Sequence, residues 1–303
     1  MKICYLFSSE YYERKMSVGR RAYGEALRQF ANVTFWGPGW PGYDSNKSLT
    51  DNLRGQRFDW LWCYKANHVL GADQTGIPTF VCFNEANDHQ ATQEEIDGCA
   101  ASLVIFHHWT DYQIWRSEPI RAVHLPHAAH PLCYLQRTPW HDRPYDLIVS
   151  GVQSEEIYPL RWRLREIALT SRWKVLDFPY PGHRLSHSGA IDRQFERYCQ
   201  ALGSARLSVV CSSRYGYGLA KWIESAACGT IPVGDVPADF SPTLGQYCVD
   251  IDPEDPDDRI RDSIGKALEL TPAWQQGLIR AAEGLSMDVY AKRLAEILSS
   301  ASA

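Results

Sequence analysis

A chain of 303 residues, 45% hydrophobic and 22% charged, has room for one large or two ordinary domains and can bury a full core in either case. Its net charge of −5 gives no general attraction to nucleic acid or anionic membrane. Nine cysteines stand without a CxxC pair, and Cys4, Cys63, Cys82 and Cys211 lie inside apolar runs, which argues against a disulfide framework or zinc site and predicts reduced, buried thiols in a cytoplasmic protein.

Met1 to Phe7 reads directly as a strand, not as a basic-then-apolar leader, and no apolar run approaches the roughly 20 residues of a membrane span. Lys2 to Phe7 is the first predicted strand. Ser8 to Met16 reads as a polar loop, and Ser17 to Phe30 as a helix with Val18, Ala22, Ala26 and Phe30 inward. Gly19 and the pair Arg20 and Arg21 lie near its start. Asn32 to Trp36 is the second strand and ends in a turn dense in Gly and Pro, Gly37 to Asp44. A short helix over 48–53 precedes the third strand, Phe58 to Tyr64. The fourth, Pro78 to Phe83, runs into Asn84, Glu85, Ala86, Asn87, Asp88 and His89. Ligands of open parallel sheets bind beyond the strand carboxyl ends, so Glu85, Asp88 and His89 are placed for chemistry. The fifth strand, Ala101 to Phe106, runs into His107 and His108. A helix with Tyr112 and Trp115 follows, then a short strand, Ala122 to Leu125, ending in Pro126 to Pro131. Strands alternating with helices predict a parallel, doubly wound domain.

Residues 131–144 read as a linker, because Pro139, His141, Asp142, Arg143 and Pro144 resist regular structure. Beyond it, Asp146 to Ser150 is a strand closed by Gly151. The helix Pro159 to Thr170 has Arg161 in its first turn. Trp173 to Phe178 is a strand with a loop, Pro179 to His183, at its end, and Phe195 to Leu202 is a helix.

Residues 206–234 are the part around which the rest is organised. Leu207 to Cys211 reads as a buried parallel strand. Ser212, Ser213, Arg214, Tyr215, Gly216, Tyr217 and Gly218 form a polar, glycine-bearing turn. A helix follows from Leu219 to Cys228, Gly229 ends it, and Ile231 to Val233 opens the next strand. A helix start behind such a turn offers free N–H groups and a partial positive charge to a phosphate. Lys221 sits in the first turn, where the helix dipole alone disfavours a cation, so an anion belongs there too. Glu224, at i+3, shares its face. A cation for phosphate and a carboxylate for ribose hydroxyls, one turn apart, fit a nucleoside diphosphate. The alternative is a buried strand–helix–strand unit with an incidental Lys–Glu pair. Gln246 to Ile251 is a further strand, the acidic segment Asp252 to Asp258 caps a helix over 259–269, and helices over 272–284 and 287–299 end the chain.

The central run resembles the donor-site motif of two-Rossmann (GT-B) glycosyltransferases, in which a glycine-rich turn leads to a helix carrying Glu and then to a small-Cys-Gly-Thr-x-Pro segment. Here Glu224, Ser225, Ala226, Ala227, Cys228, Gly229, Thr230, Ile231 and Pro232 stand in that order. The most similar type is the CgeB-like, family-4-like group with a group 1 type donor domain, which also has a Gly-Pro-Gly turn after the second strand and a Tyr-Pro-x-Arg element, here Tyr158 to Arg161. Tyr215 departs from the pattern, standing where many members carry an acidic residue, and one extra residue separates the turn from Glu224; no role is carried over from that carboxylate.

The resemblance implies an α/β fold of two Rossmann-like, doubly wound parallel-sheet domains facing a central cleft. Residues 1–140 would form the acceptor side, 141–285 the nucleotide-sugar donor domain, and 286–303 a last helix that crosses back to the first domain. It also implies transfer of a hexosyl or pentosyl group from a nucleotide-diphosphate sugar, UDP before GDP, to an acceptor hydroxyl. The donor is a co-substrate, and neither metal nor cofactor is required. Lys221 and then Arg161 are expected on the phosphates, with donors from Gly151 and from Ser213, Arg214, Tyr217 and Gly218 of the turn, and Glu224 on the ribose. Tyr180 and His183 are weaker candidates for the base. Inversion at the anomeric carbon would need Asp88, Glu85, His89 or His107 as general base, whereas retention would need none. Gly19, Arg20 and Arg21 border the expected acceptor site. Neither His107–His108 nor His127–His130 has zinc-site spacing. The acceptor is open: a saccharide, a lipid-linked glycan, a small molecule, or a hydroxymethylated DNA base, the last because Arg14, Lys15, Arg20, Arg21 and Arg28 gather near that loop. A nucleotide-sugar epimerase of the same fold and a non-catalytic nucleotide-sugar binder are the rival readings; the first would act without an acceptor, the second without turnover.

Overall fold

Short runs of Val, Ile, Leu and aromatic residues form strands, and most are followed by a helix that carries the chain back to the same sheet edge. The computed structural model describes residues 1–14, 16, 18–63, 70–179 and 190–301. Contacts divide the chain into two units, Met1–Pro126 with Ser186–Ile191 and Met287–Ala303, and His127–Leu185 with Asp192–Ser286.

The first unit runs β1 (Lys2–Leu6), α1 (Ser9–Arg14), α2 (Val18–Leu27), β2 (Asn32–Trp36), α3 (Leu49–Asn52), β3 (Trp60–Cys63), β4 (Thr79–Phe83), α4 (His89–Gly98), β5 (Ala101–Phe106), α5 (Trp109–Trp115) and β6 (Ala122–His124). Its sheet has the order β2-β1-β3-β4-β5-β6, with every pairing parallel. All of Trp60–Cys63 is buried, as is Leu103–Phe106. Such unbroken burial, without in-and-out alternation, requires both faces of the sheet to be covered.

The second unit runs α6 (Pro131–Leu135), β7 (Tyr145–Gly151), α7 (Pro159–Leu169), β8 (Val175–Pro179), α8 (Ala190–Gly203), β9 (Ala205–Val209), α9 (Lys221–Ala227), β10 (Ile231–Gly234), β11 (Val249–Asp250), α10 (Asp257–Leu268) and α11 (Pro272–Glu283). Its sheet is also parallel, in the order β11-β10-β9-β7-β8. The last helix, α12 (Met287–Ala301), returns to the first unit and packs on α2: Gln29 Nε2 donates to Asp288 Oδ1 at 2.9 Å, and the Tyr23 and Tyr290 rings are 4.3 Å apart. Two doubly wound parallel sheets are the expected fold class.

Three segments differ from expectation. The loop after β1 contains α1, because Ser8 Oγ accepts from the Tyr11 amide at 3.1 Å and starts a turn too short to show a hydrophobic period. Segment 131–144 is not an open linker. His130 Nδ1 accepts from the Leu132 amide at 3.1 Å, Pro131 takes the first position, and α6 follows. Arg143 is then buried, donating to the carbonyls of Thr138 (2.9 Å), Ala205 (2.5 Å) and Cys228 (2.8 Å) and to Thr230 Oγ1 (2.9 Å). Desolvation holds its pKa down at about 10. Finally, only Val249–Asp250 of the expected strand over 246–251 pairs with β10, since Gly245–Tyr247 winds into a 3-10 turn.

All nine cysteines are free, and Cys133 and Cys199 bring their sulfurs to 3.6 Å in the second core. Among the described residues, no helix is long and apolar enough to cross a membrane.

Candidate functional site

In the second sheet, β7 is the first strand and lies inside the order, with β8 on one side and β9, β10 and β11 on the other. The chain therefore leaves β7 in one direction and continues from β9 in the other. At such a reversal the flanking connections diverge and leave a crevice at the strand carboxyl ends.

Gly151 ends β7 with φ +94°, a conformation that glycine adopts without strain. A β-carbon there would lie 2.8 Å from Lys221 Cε, 3.3 Å from Lys221 Nζ and 3.4 Å from Arg161 Nη1. The strand end is thus a floor crossed by two cationic side chains. Arg161 comes from the first turn of α7, which holds no acidic residue, and is 1% exposed. Its Nη1 donates to the Val152 carbonyl at 3.1 Å, and the guanidinium lies 4.0 Å from the centre of the Tyr158 ring. Its Nε and Nη2 are buried and have no hydrogen-bond partner among the described residues. Burying charged donors without acceptors is unfavourable by several kcal/mol in order of magnitude, unless a ligand supplies the acceptors.

Lys221 is the first residue of α9, and its ammonium stands 4.3 Å from the Tyr198 ring centre. Burial pushes the ammonium down to about 8; Glu224 opposes the shift and the Arg161 cation adds to it. The Glu224 carboxyl is pushed up by burial, while Lys221 and the Tyr198 hydroxyl favour its ionised form. Gly151, Arg161, Lys221 and Glu224, expected together from the sequence, are brought together.

The glycine-bearing turn is more engaged than expected. The amides of Arg214, Gly216 and Leu219 donate to the carbonyls of Ile157 (2.8 Å), Ser213 (2.8 Å) and Tyr217 (3.0 Å), and that of Tyr215 to Ser213 Oγ (3.3 Å). Among the described residues, the amides of Gly218, Ala220 and Lys221 have no hydrogen bond, and no side chain caps α9. The free donors of this region therefore lie at the helix start. Ser213 and Tyr217 are buried, and Gly218 lies against Asp239, whose Oδ2 a β-carbon would meet at 2.5 Å. Arg214 turns to the surface, donating to Glu156 Oε1 (2.7 Å) and to the Tyr215 hydroxyl (2.6 Å).

Two contributors escaped the sequence reading. Tyr198 lies in α8, where helical spacing marks it only as a core residue. Asp235, just past β10, accepts from the Ser212 amide at 2.9 Å and from its hydroxyl, tying the ends of β9 and β10 together. Its carboxyl is pushed up by burial, with Ser212 opposing.

In the first unit, Asp88 is the N-cap of α4, its Oδ1 accepting from the Ala91 amide at 3.0 Å. The His89 ring stacks on Trp115 at 4.4 Å, with Nε2 3.5 Å from Glu118 Oε1. Glu85 is exposed beside them. His107 is 2% exposed between Tyr23 (5.5 Å) and Tyr290 (5.7 Å). Its Nδ1 lies 2.9 Å from the Leu125 carbonyl, an acceptor only, so that nitrogen carries the proton. Burial pushes this imidazole down to about 3, the Leu125 bond opposing and His108 and Arg20 adding to the shift. Arg20 is thus brought near His107, whereas Arg21 lies 5.5 Å from the centre of the Tyr12 ring; a β-carbon at Gly19 would meet nothing within 4 Å. His108 and His127 are buried, and His130 caps α6. Lys15, Tyr180 and His183 lie outside the described residues.

No family model and no curated protein matches the sequence. Solved structures do match its fold. Sucrose-phosphate synthase from Thermosynechococcus elongatus aligns with a TM-score of 0.65 at 11% identity, covering 99% of this chain and 98% of that one. HepE of Anabaena, solved in complex with UDP and glucose, aligns with a TM-score of 0.64 at 12% identity, covering 99% and 100%. AviGT4, a glycosyltransferase involved in avilamycin A biosynthesis, aligns with a TM-score of 0.62 at 13% identity, covering 100% and 98%. At these identities the likeness is one of fold, and the fold is GT-B.

Proposed function

We propose that this protein is a glycosyltransferase that moves a hexosyl or pentosyl group from a nucleoside-diphosphate sugar to an acceptor hydroxyl, with the diphosphate seated on Gly151, Arg161, Lys221 and the start of α9. The observation that carries the reading is Arg161, a buried guanidinium with two donor nitrogens that find no partner among the described residues, beside a second cation at the switch point of a parallel sheet. A diphosphate supplies the missing acceptors and the compensating charge.

Bond breaking at the anomeric carbon leaves the electron pair on the phosphate oxygen, and the leaving diphosphate gains negative charge. Lys221 and Arg161 meet that charge more strongly in the transition state than in the ground state, which lowers the barrier. These protein cations supply the charge without a metal. Glu224, one turn along α9, accepts from ribose hydroxyls. UDP is the first donor to test and GDP the second, since HepE was solved with UDP and glucose. Gly19, Arg20 and Arg21 are acceptor contacts in this reading. For an inverting transfer, Glu85 or His89 is the base in this reading, because Asp88 is held as a helix cap and His107 is neutral and enclosed.

The test is a thermal-shift panel of UDP, GDP, ADP, UDP-glucose and GDP-mannose, followed by mass spectrometry of glycosylated products. A diphosphate that binds the folded state raises the melting temperature by mass action. If no nucleotide shifts it, the reading fails. Conversion of the nucleotide sugar without any acceptor would make the protein an epimerase, and binding without turnover would make it a binding protein.

A further inference from the structure

We propose that Tyr198 is a positioning residue that fixes the Lys221 ammonium where it meets the diphosphate, an inference that rests on the reading of the site given above. A lysine head group on four methylenes has many places to go, and helix position alone does not aim it. Here it is held from two sides. The ring of Tyr198 lies 4.3 Å from Nζ, within the range at which the negative face of an aromatic ring attracts a cation. On the other side, Gly151 comes so close that a single added carbon would stand 2.8 Å from Lys221 Cε.

The platform is itself held in place. Tyr198 is 8% exposed, and its ring centre lies 6.2 Å from that of Phe178 on β8 and 6.0 Å from that of Phe195 on α8. A cation next to Arg161 would otherwise swing away from it towards solvent. The ring keeps the two positive groups together before any ligand arrives, which is preorganisation in the ordinary sense.

The experiment measures affinities for UDP, GDP and uridine by titration calorimetry on the full chain, in wild type, Tyr198→Phe, Tyr198→Leu and Lys221→Met, and in the double variant with Tyr198→Leu. Tyr198→Leu is expected to weaken the bound diphosphate about tenfold. Uridine, which carries no phosphate, is expected to change less than about twofold, and Tyr198→Phe to recover most of the loss. In the Lys221→Met background, Tyr198→Leu is expected to have no further effect. If Tyr198→Leu does not fold, pentafluorophenylalanine at this position keeps the ring's shape while removing its negative face, and is expected to bind more weakly than Tyr198→Phe.

Wild type binding neither UDP nor GDP overturns the reading of the site and this inference with it. Wild type binding one of them overturns the role of Tyr198 alone in any of three outcomes: the ring variant binds as tightly as wild type, it loses diphosphate and nucleoside equally, or its effect persists without Lys221. If Tyr198→Leu does not fold, affinity of the fluorinated variant equal to that of Tyr198→Phe overturns the role.

Discussion

At the carboxyl edge of the second sheet, Arg161 and Lys221 are held side by side, with donor nitrogens of Arg161 and the amides at the start of α9 left without acceptors among the described residues. At the same edge of the first sheet, three polar side chains around β4 and β5 are engaged within the protein. Asp88 caps a helix, His107 donates to Leu125 and is enclosed by tyrosines, and Asp111 accepts from the Ala86 amide at 3.0 Å. Both edges arise from the same alternation of strand and helix. The difference is whether the hydrogen-bonding capacity there is closed internally or left open, and an open, positively charged set identifies a ligand site better than the residue types do.

The largest expected effect breaks the open side of this contrast. Lys221→Met should lower transferase turnover about a hundredfold, the usual scale for removing one transition-state charge contact, and unchanged turnover would remove Lys221 from the mechanism. The same residue gives a pH signature. Its folded pKa, about 8, lies below the usual lysine value near 10.5. Donor affinity should therefore fall as pH rises through 8 and the ammonium is lost. Ligand-free stability should instead rise between pH 8 and 10.5, where the unfolded chain holds the extra proton. Opposite slopes, both absent in Lys221→Met, are measurable by calorimetry and by urea unfolding.

Next comes Gly151→Ala. It places a methyl group against Lys221 and Arg161 and forces a non-glycine residue to positive φ. A stability loss of about 1–3 kcal/mol is expected, with donor affinity reduced about tenfold as Lys221 is displaced. Full retention of both would mean that the floor of the site can yield.

His107 sharpens the closed side. Its folded pKa of about 3 lies below the free value of 6.5, so acid favours the unfolded chain as pH falls through 6.5. Between pH 7 and 5 this contributes a loss of about 2 kcal/mol. In His107→Gln that part of the acid sensitivity should vanish from urea unfolding curves. Asp88→Ala should do least, about 1 kcal/mol of stability from a lost helix cap, with diphosphate affinity unchanged. A large fall in turnover at unchanged stability would instead give Asp88 a chemical role.

Much of the open site was legible because it contradicts local rules. A lysine in the first turn of α9 and an arginine in the first turn of α7 both stand where the helix dipole disfavours them, and a glycine ends a strand. The anomaly of α9 named Lys221, whereas Arg161 and Gly151 were named through the family resemblance, before their proximity was known. Tyr198 was not legible, since helical period tells which face of α8 is buried but not that its ring lies under a lysine of another helix. Arg143 was missed because charge next to prolines resembles an exposed connection, and its acceptors lie on β9 and beyond α9, far along the chain. The helix α1 was hidden by its brevity, and the strand over 246–251 was overestimated because apolar residues suit a 3-10 turn as well as an edge strand.

Arg143 also fixes one end of α9. Its guanidinium grips the carbonyl of Cys228 at the rear of the helix, while the leading end has no capping side chain among the described residues. A rod clamped at its tail pivots at its tip, and this tip bears the amides of Gly218, Ala220 and Lys221. Loading the pocket would bolt down the loose end. Proton exchange with heavy water at those three amides should slow on occupancy, while the clamped tail keeps its original rate.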